Sequence, residues 1–161
     1  MKVTDVMRPA GLSLIQNSNL AKVVETFLNY RVDMLPVVDA AQHVVGVITV
    51  QDLLEFLFPR FYEILRDYNA LEDKGQLSSL FGSAFSGLDL GDNQLILAAD
   101  MMRTHLIWIG AEDSILAAAS HLFGQHVTQL PVVDRDRRFV GTLSETDVVL
   151  SFLKGSAVGR S

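Results

Sequence analysis

Apolar residues along the chain follow two spacings, and each spacing predicts a different element. Between residues 20 and 28 they lie three and four positions apart, which is typical of one face of an amphipathic helix, and the same spacing returns at 115–123. Short valine-rich apolar runs at 35–38 and 44–48 instead predict two strands. The polar segment 39–43 between these runs predicts a hairpin loop.

The whole pattern occurs twice, with a constant offset of 95 positions between the copies. The sequence Leu-Pro-Val-Val-Asp at residues 35–39 returns at 130–134, and the start of a further apolar helix near residue 50 returns near residue 145. A repeat of this regularity predicts two copies of one structural unit. Read in order, each copy is a β-α-β-β-α unit that begins with an extended segment, 11–16 in the first copy and 106–109 in the second.

One such unit cannot cover the apolar face of its own small sheet. Two copies in tandem can cover each other, so the sequence predicts an α/β fold with two β-α-β-β-α repeats around a pseudo-two-fold axis. This arrangement creates two equivalent clefts where the repeats meet. Apolar helix faces that remain uncovered within one chain also predict a homodimer. Ser18 and Asp113 are the predicted N-caps of the first helix in each repeat.

The repeats set the predicted domain boundaries at 1–58 and 98–154. The connector, 59–97, is longer than most loops and is predicted to be partly helical and partly flexible. Within it, the serine- and glycine-rich stretch 77–88 is predicted to be mobile until a partner or dimer contact orders it. The tail, 155–161, is predicted to be disordered.

Composition narrows the classes of function. The chain has 161 residues, 49% of them hydrophobic, no cysteine and a formal charge of −6. Thiolate metal sites are therefore excluded, and bulk electrostatic binding to nucleic acid or an anionic membrane is not expected. No apolar run approaches the roughly 18 residues of a membrane span, and the first residues lack a signal-peptide core, so we expect a cytoplasmic protein. The four histidines show no metal-ligand spacing, and no catalytic motif is present, so an enzyme is not expected.

Two short motifs carry the candidate chemistry. Thr49 and Asp52, three residues apart, stand where a predicted strand ends and a helix begins, and Ser144 and Asp147 repeat the arrangement. A helix N-terminus with a hydroxyl favours a bound phosphate, and an aspartate can accept hydrogen bonds from ribose hydroxyls. The same spacing is also that of a capping box, in which both side chains serve only the first turn of the helix.

Together these residues resemble a tandem pair of CBS domains, also called a Bateman module. The supporting motifs are Val-Met-Arg-Pro at residues 6–9, Leu-Pro-Val-Val-Asp at 35–39, Gly-Val-Ile-Thr-Val-Gln-Asp at 46–52, and their counterparts in the second copy. The resemblance implies a non-catalytic regulatory module that requires no cofactor. It would bind an adenine nucleotide, AMP or ATP, in the clefts between the repeats and signal to a protein partner. The alternative is a ligand-free dimerisation module with vestigial pockets.

By the same resemblance, each pocket combines the hydroxyl and carboxylate of one repeat with apolar residues of the other. The first pocket would contain Thr49, Asp52, Ile107 and Val127, and the second Ser144, Asp147, Leu12 and Val32. We therefore interpret both aspartates as ligand residues rather than caps.

The family often carries a basic residue just before the Leu-Pro pair, and neither copy has one here. The nearest basic residues, which we expect to contact phosphate instead, are Arg8, Arg31, Arg103 and His126. Because Arg31 precedes Val32, the Ser144 pocket is expected to be the tighter of the two. The three arginines of the second hairpin loop, at 135, 137 and 138, are expected to lie at the opposite end of the sheet.

Overall fold

A computed structural model describes residues 1–58 and 95–158, with the side chains of 156–158 left undescribed. The connector's predicted helix and its predicted mobile stretch, 77–88, lie outside the described residues. Within the described chain the predicted α/β fold is confirmed, since each repeat is a β-α-β-β-α unit.

Apart from one short strand in the first half, the helices and strands of the described residues follow the same order in both halves of the chain. The first half contains a 3-10 turn (Val3–Asp5), β1 (Arg8–Pro9), β2 (Leu14–Ile15), α1 (Leu20–Tyr30), β3 (Met34–Val38), β4 (Val44–Thr49) and α2 (Val50–Leu57). The second half contains α3 (Ala98–Met101), β5 (Ile109–Gly110), α4 (Ile115–Gly124), β6 (Gln129–Val133), β7 (Phe139–Ser144) and α5 (Glu145–Val158).

The 95-residue offset extends to the pairing of the strands. In the first hairpin Met34 lies opposite Thr49, and in the second Gln129 lies opposite Ser144. The first strand of each repeat, β2 or β5, pairs in parallel with the first strand of its hairpin. The residue that enters each hairpin therefore lies beside the hydroxyl residue that leaves it.

The sheets also contain a feature that the sequence did not predict. The N-terminal segment of each repeat pairs with a strand of the other repeat. Strand β1 pairs with β7 of the second repeat, with Arg8 opposite Thr142. In the equivalent place, Arg103 forms a bridge with Val47 of the first repeat. We call residues 1–9 and 96–103 the exchanged segments. They join the repeats through backbone hydrogen bonds rather than side-chain contacts alone.

The hydrophobic core consists of two clusters, one in each repeat, and each is completed by an exchanged segment. Val3 is fully buried in the cluster of the second repeat. Ala98 and Met101 are buried in the cluster of the first. The helices pack their apolar face on these clusters, as Leu20 and Ile115 do at equivalent positions. Neither cluster is complete without residues from the other half of the chain.

Three local predictions were wrong. The first helix of each repeat is capped by the residue directly before it: Asn19 accepts from the Lys22 amide, and Ser114 from the Ala117 amide. Ser18 and Asp113 lie one position too early for this role. Helix α5 continues to Val158, so residues 155–158 are helical rather than part of a disordered tail. Extending an existing helix is favourable where no proline interrupts it.

Candidate functional site

A cavity of about 390 Å³ opens between the two repeats, beside the junction of β4 and α2. This volume lies within the range of small-molecule sites, roughly 300–1,000 Å³. Five residues singled out from the sequence line it together, namely Thr49, Arg103, Ile107, His126 and Val127. The cavity thus brings the hydroxyl of one repeat to the apolar and basic residues of the other.

The wall from the first repeat is the start of helix α2. Thr49 is its N-cap, and its hydroxyl oxygen accepts from the Asp52 amide at 3.1 Å. In return, Oδ2 of Asp52 accepts from the Thr49 amide at 2.9 Å and from the Thr49 hydroxyl at 2.8 Å. This is a complete capping box. The helix N-terminus beside the cavity is an environment that favours an anion.

The other oxygen of Asp52 has a different partner. Oδ1 accepts from Nε of Arg103, which comes from the exchanged segment of the second repeat. The Asp52 side chain is buried, whereas that of Arg103 remains more than half exposed. The prediction that the aspartates are not caps was wrong, because Oδ2 of Asp52 caps the helix. Its Oδ1 faces the other repeat, and Asp52 does not line the cavity, so its role in ligand binding stays a prediction.

The second junction repeats this arrangement. Oδ2 of Asp147 accepts from the amide and the hydroxyl of Ser144, at 3.0 and 2.6 Å. Its Oδ1 accepts from Nε and a terminal nitrogen of Arg8, at 3.3 and 3.2 Å. Partial burial by itself raises the pKa of the Asp147 carboxyl, but the bonds from Ser144 and Arg8 outweigh it and hold the pKa below its usual range. Asp147 is therefore a carboxylate at neutral pH.

The wall from the second repeat combines apolar and basic side chains. Ile107 and Val127 pack against the core of that repeat and remain partly exposed towards the cavity. Arg103 and His126 lie beside them and are exposed. The backbone of Arg103 is fixed by two hydrogen bonds to Val47, of 3.1 and 2.9 Å, so that its side chain can move while its Cα stays in place.

The remaining predicted site residues lie elsewhere. Leu12 and Val32 pack against the core of the first repeat, and Arg31 is exposed at the end of helix α1. These three do not line the Thr49 cavity. The loop arginines do not line it either, in keeping with their predicted place; Arg137 stacks on Trp108 with 5.1 Å between the guanidinium carbon and the ring centre.

Sequence reasoning missed several side chains that line the cavity, among them one basic and one amide side chain. His105 lines it, and so does Gln129, which precedes the second Leu-Pro pair. The signal for His105 was its place two residues after Arg103 in a segment that leads towards Ile107. The signal for Gln129 was its position opposite Ser144, but that pairing also brings it close to the neighbouring pocket.

Neither metal ligation nor a membrane span is found in the described part of the chain. Residues 1–58 and 95–158 contain no group of three histidine or acidic side chains placed to hold a metal ion. In the same residues, every helix is too short or too polar to cross a bilayer.

The fold is similar to that of several solved structures. The chain superimposes on CBSX2 in complex with AMP with a TM-score of 0.68 and 24% identity, covering 96% of this chain and 98% of that one. The CBS domain pair of MJ0100, solved with 5′-methylthioadenosine and S-adenosyl-L-methionine, gives 0.64 and 17% over 96% and 98% of the two chains. MJ1225 from Methanocaldococcus jannaschii, a putative archaeal homolog of γ-AMPK, gives 0.70 and 18% over 96% and 51%.

These likenesses establish the fold. A search of curated protein sequences found no significant match. The profile of the CBS domain family matches the sequence twice, over residues 3–59 and 98–154, which are the two repeats seen in the structure. Proteins of this family are in general regulatory, non-catalytic modules. The chain belongs to the CBS domain family and contains two CBS domains in tandem.

Proposed function

We propose that this CBS pair binds an adenine nucleotide of the AMP class in the Thr49 cavity and reports its occupancy to a protein partner. The observation that carries the proposal is the composition of the cavity. A helix N-terminus, an apolar wall and basic side chains line a cavity of about 390 Å³. The buried carboxylate of Asp52 does not line it but is paired with Arg103, which does. A nucleotide needs each of these groups, whereas a purely structural junction needs only the helix cap.

Each part of the nucleotide has a matching partner in this assignment. The 5′-phosphate would lie near the Thr49 hydroxyl and the start of α2, within reach of Arg103 and His126. The ribose hydroxyls would donate to Oδ1 of Asp52. The adenine ring would lie against Ile107 and Val127, where it buries apolar surface. Bound AMP in CBSX2, and adenosyl ligands in the MJ0100 pair, support this class of ligand.

The basic side chains favour the Thr49 pocket over the Ser144 pocket, which is the reverse of our expectation from the sequence. Arg103, His105 and His126 line the cavity. Their counterparts 95 residues earlier, at the second pocket, are Arg8, Ala10 and Arg31, so one of the three basic positions is lost. We therefore propose that the Thr49 pocket binds first and that the Ser144 pocket, with Asp147, Leu12 and Val32, is weaker.

Thermal unfolding with a panel of AMP, ATP and CMP tests the proposal. AMP at 100 times its dissociation constant should stabilise the protein by about 2.7 kcal/mol, which raises Tm by several degrees for a chain of this size. CMP is the control, because its smaller ring leaves part of the apolar wall exposed. Absence of any shift with millimolar AMP and ATP would refute nucleotide binding and favour the ligand-free dimerisation module.

Homodimer formation is the second part of the proposal. Helices α2 and α5 leave large apolar side chains exposed on the described chain, among them Phe56, Val149 and Leu153. Val149 and Leu153 are four residues apart and so share one face of α5, and an exposed apolar face is typical of an interaction surface. Sedimentation equilibrium at micromolar concentration should therefore give twice the chain mass of 17.8 kDa. A single species at the mass of one chain would contradict a dimer, although nucleotide binding could stand without it.

A further inference from the structure

Two ion pairs tie the repeats together at equivalent positions, Arg103 to Asp52 and Arg8 to Asp147. In each pair the arginine comes from the exchanged segment of one repeat and the aspartate from the helix start of the other. The Asp52 side chain is 7% exposed, so the guanidinium covers the carboxylate oxygen that does not cap the helix. Arg103 itself lines the Thr49 cavity.

This arrangement creates a competition at Oδ1 of Asp52. Oδ2 already accepts two hydrogen bonds from Thr49, so a ribose can bind this carboxylate only through Oδ1. A ribose that does so displaces the guanidinium of Arg103. The displaced guanidinium keeps its charge, since arginine is not deprotonated in proteins, and it stays at the cavity because its backbone is held by Val47.

We propose that Arg103 exchanges Asp52 for the 5′-phosphate of the ligand, and that this exchange makes the site select nucleotides over nucleosides. The inference rests on the proposed function. With AMP, the arginine has an anionic partner both before and after binding. With adenosine it loses its partner and gains none. The exchange also breaks one of the two equivalent ion pairs between the repeats, so that occupancy changes how the two halves of the molecule are joined.

The test is calorimetry of AMP and adenosine with the parent protein, Arg103→Met and Lys2→Met. Lys2→Met is the matched control, because it removes one positive charge and one ion pair between the repeats, Lys2 to Glu112 at 2.7 Å. Lys2 does not line the cavity. We expect the parent to bind AMP at least tenfold more tightly than adenosine, as about one charge-assisted bond to phosphate would give.

Arg103→Met should tighten adenosine binding by roughly three- to tenfold, because the competitor for Asp52 is gone, and should weaken AMP binding. The preference for AMP should then largely disappear, whereas Lys2→Met should retain it. Arg103→Lys keeps the charge and should retain part of the preference, so it provides the test if Arg103→Met fails to fold. A purely structural Arg103 predicts a different result, in which both ligands weaken together.

Equal weakening of AMP and adenosine in Arg103→Met, or an unchanged affinity for adenosine, would overturn the exchange and leave nucleotide binding intact. The proposed function has a separate sign of failure, since a parent protein that binds neither compound refutes both proposals at once. An adenosine affinity equal to that for AMP in the parent would refute the exchange alone.

Discussion

Replacing Asp52 by alanine is expected to weaken AMP binding by about a hundredfold and to lower the free energy of unfolding of the ligand-free protein by about 1–2 kcal/mol. Both effects follow from one carboxylate with two separate partners. Loss of Oδ2 removes half of the capping box with Thr49. Loss of Oδ1 removes the acceptor that we assign to the ribose, and with it the ion pair to Arg103.

Calorimetry with AMP and urea unfolding of the free protein measure the two effects separately. Ser114→Ala is the matched control, because Ser114 caps helix α4 with a 3.1 Å bond from the Ala117 amide and does not line the cavity. It should lower the free energy of unfolding by a similar amount, about 0.5–2 kcal/mol, and leave AMP binding unchanged. If Asp52→Ala loses stability but binds AMP like the parent, the aspartate is a cap and nothing more.

Gly141→Ala is expected to destabilise the protein by about 1–3 kcal/mol. Gly141 lies in β7 opposite Pro9 of the exchanged segment. A Cβ at this position would overlap the carbonyl oxygen of Arg8, which is backbone and cannot rotate away. At the equivalent position of the first repeat, Gly46, the overlap is with the side chain of Met102, whose Sδ and Cγ can rotate away and whose Cβ, at 2.8 Å from the added Cβ, needs a smaller shift than the Arg8 carbonyl oxygen does. Gly46→Ala should therefore cost less.

Urea unfolding of the two glycine variants, beside Gly124→Ala, measures these costs. Gly124 ends helix α4, and an added Cβ there would meet no atom within 4 Å. Gly124→Ala should stabilise the protein by up to about 1 kcal/mol, because alanine favours the helix. If Gly141→Ala were as stable as the parent, β1 would not pack on β7 as closely as the structure indicates.

The fold could be predicted because its signals are local and occur twice. Apolar spacing around Leu20 and Ile115, together with the hairpin patterns, determines each β-α-β-β-α unit. The exchanged segments could not be predicted in the same way. Val3 has apolar neighbours at helical spacing only at Val6 and Met7, which is too short a pattern to define an element, and nothing in it says which of two similar cores will bury Val3. Which core buries Val3 depends on how close the exchanged segment lies to each core in the folded chain, and the sequence pattern does not contain that information.

Three of the four residues predicted for the first pocket line one cavity, but the hydrogen bonds of the fourth, Asp52, were not predicted. The repeat brought Thr49, Ile107 and Val127 to one cleft, as the family resemblance implied. Spacing could not show that Asp52 divides its two oxygens between a helix cap and Arg103, because the arginine lies 51 residues further along the chain. Contacts at that separation depend on how the repeats dock. The roles of these residues in binding stay predictions.

The exchanged segments also determine when the protein can fold during synthesis on a ribosome. Val3 is made more than 100 residues before its partners, since its amide bonds the carbonyl of Asp113 and its side chain is buried among residues up to Val148. The core of the first repeat likewise cannot be completed until Ala98 and Met101, which follow the connector, have been made. A nascent chain therefore exposes an unfinished apolar core until both repeats have left the exit tunnel, and exposed apolar surface of this kind favours aggregation during that period.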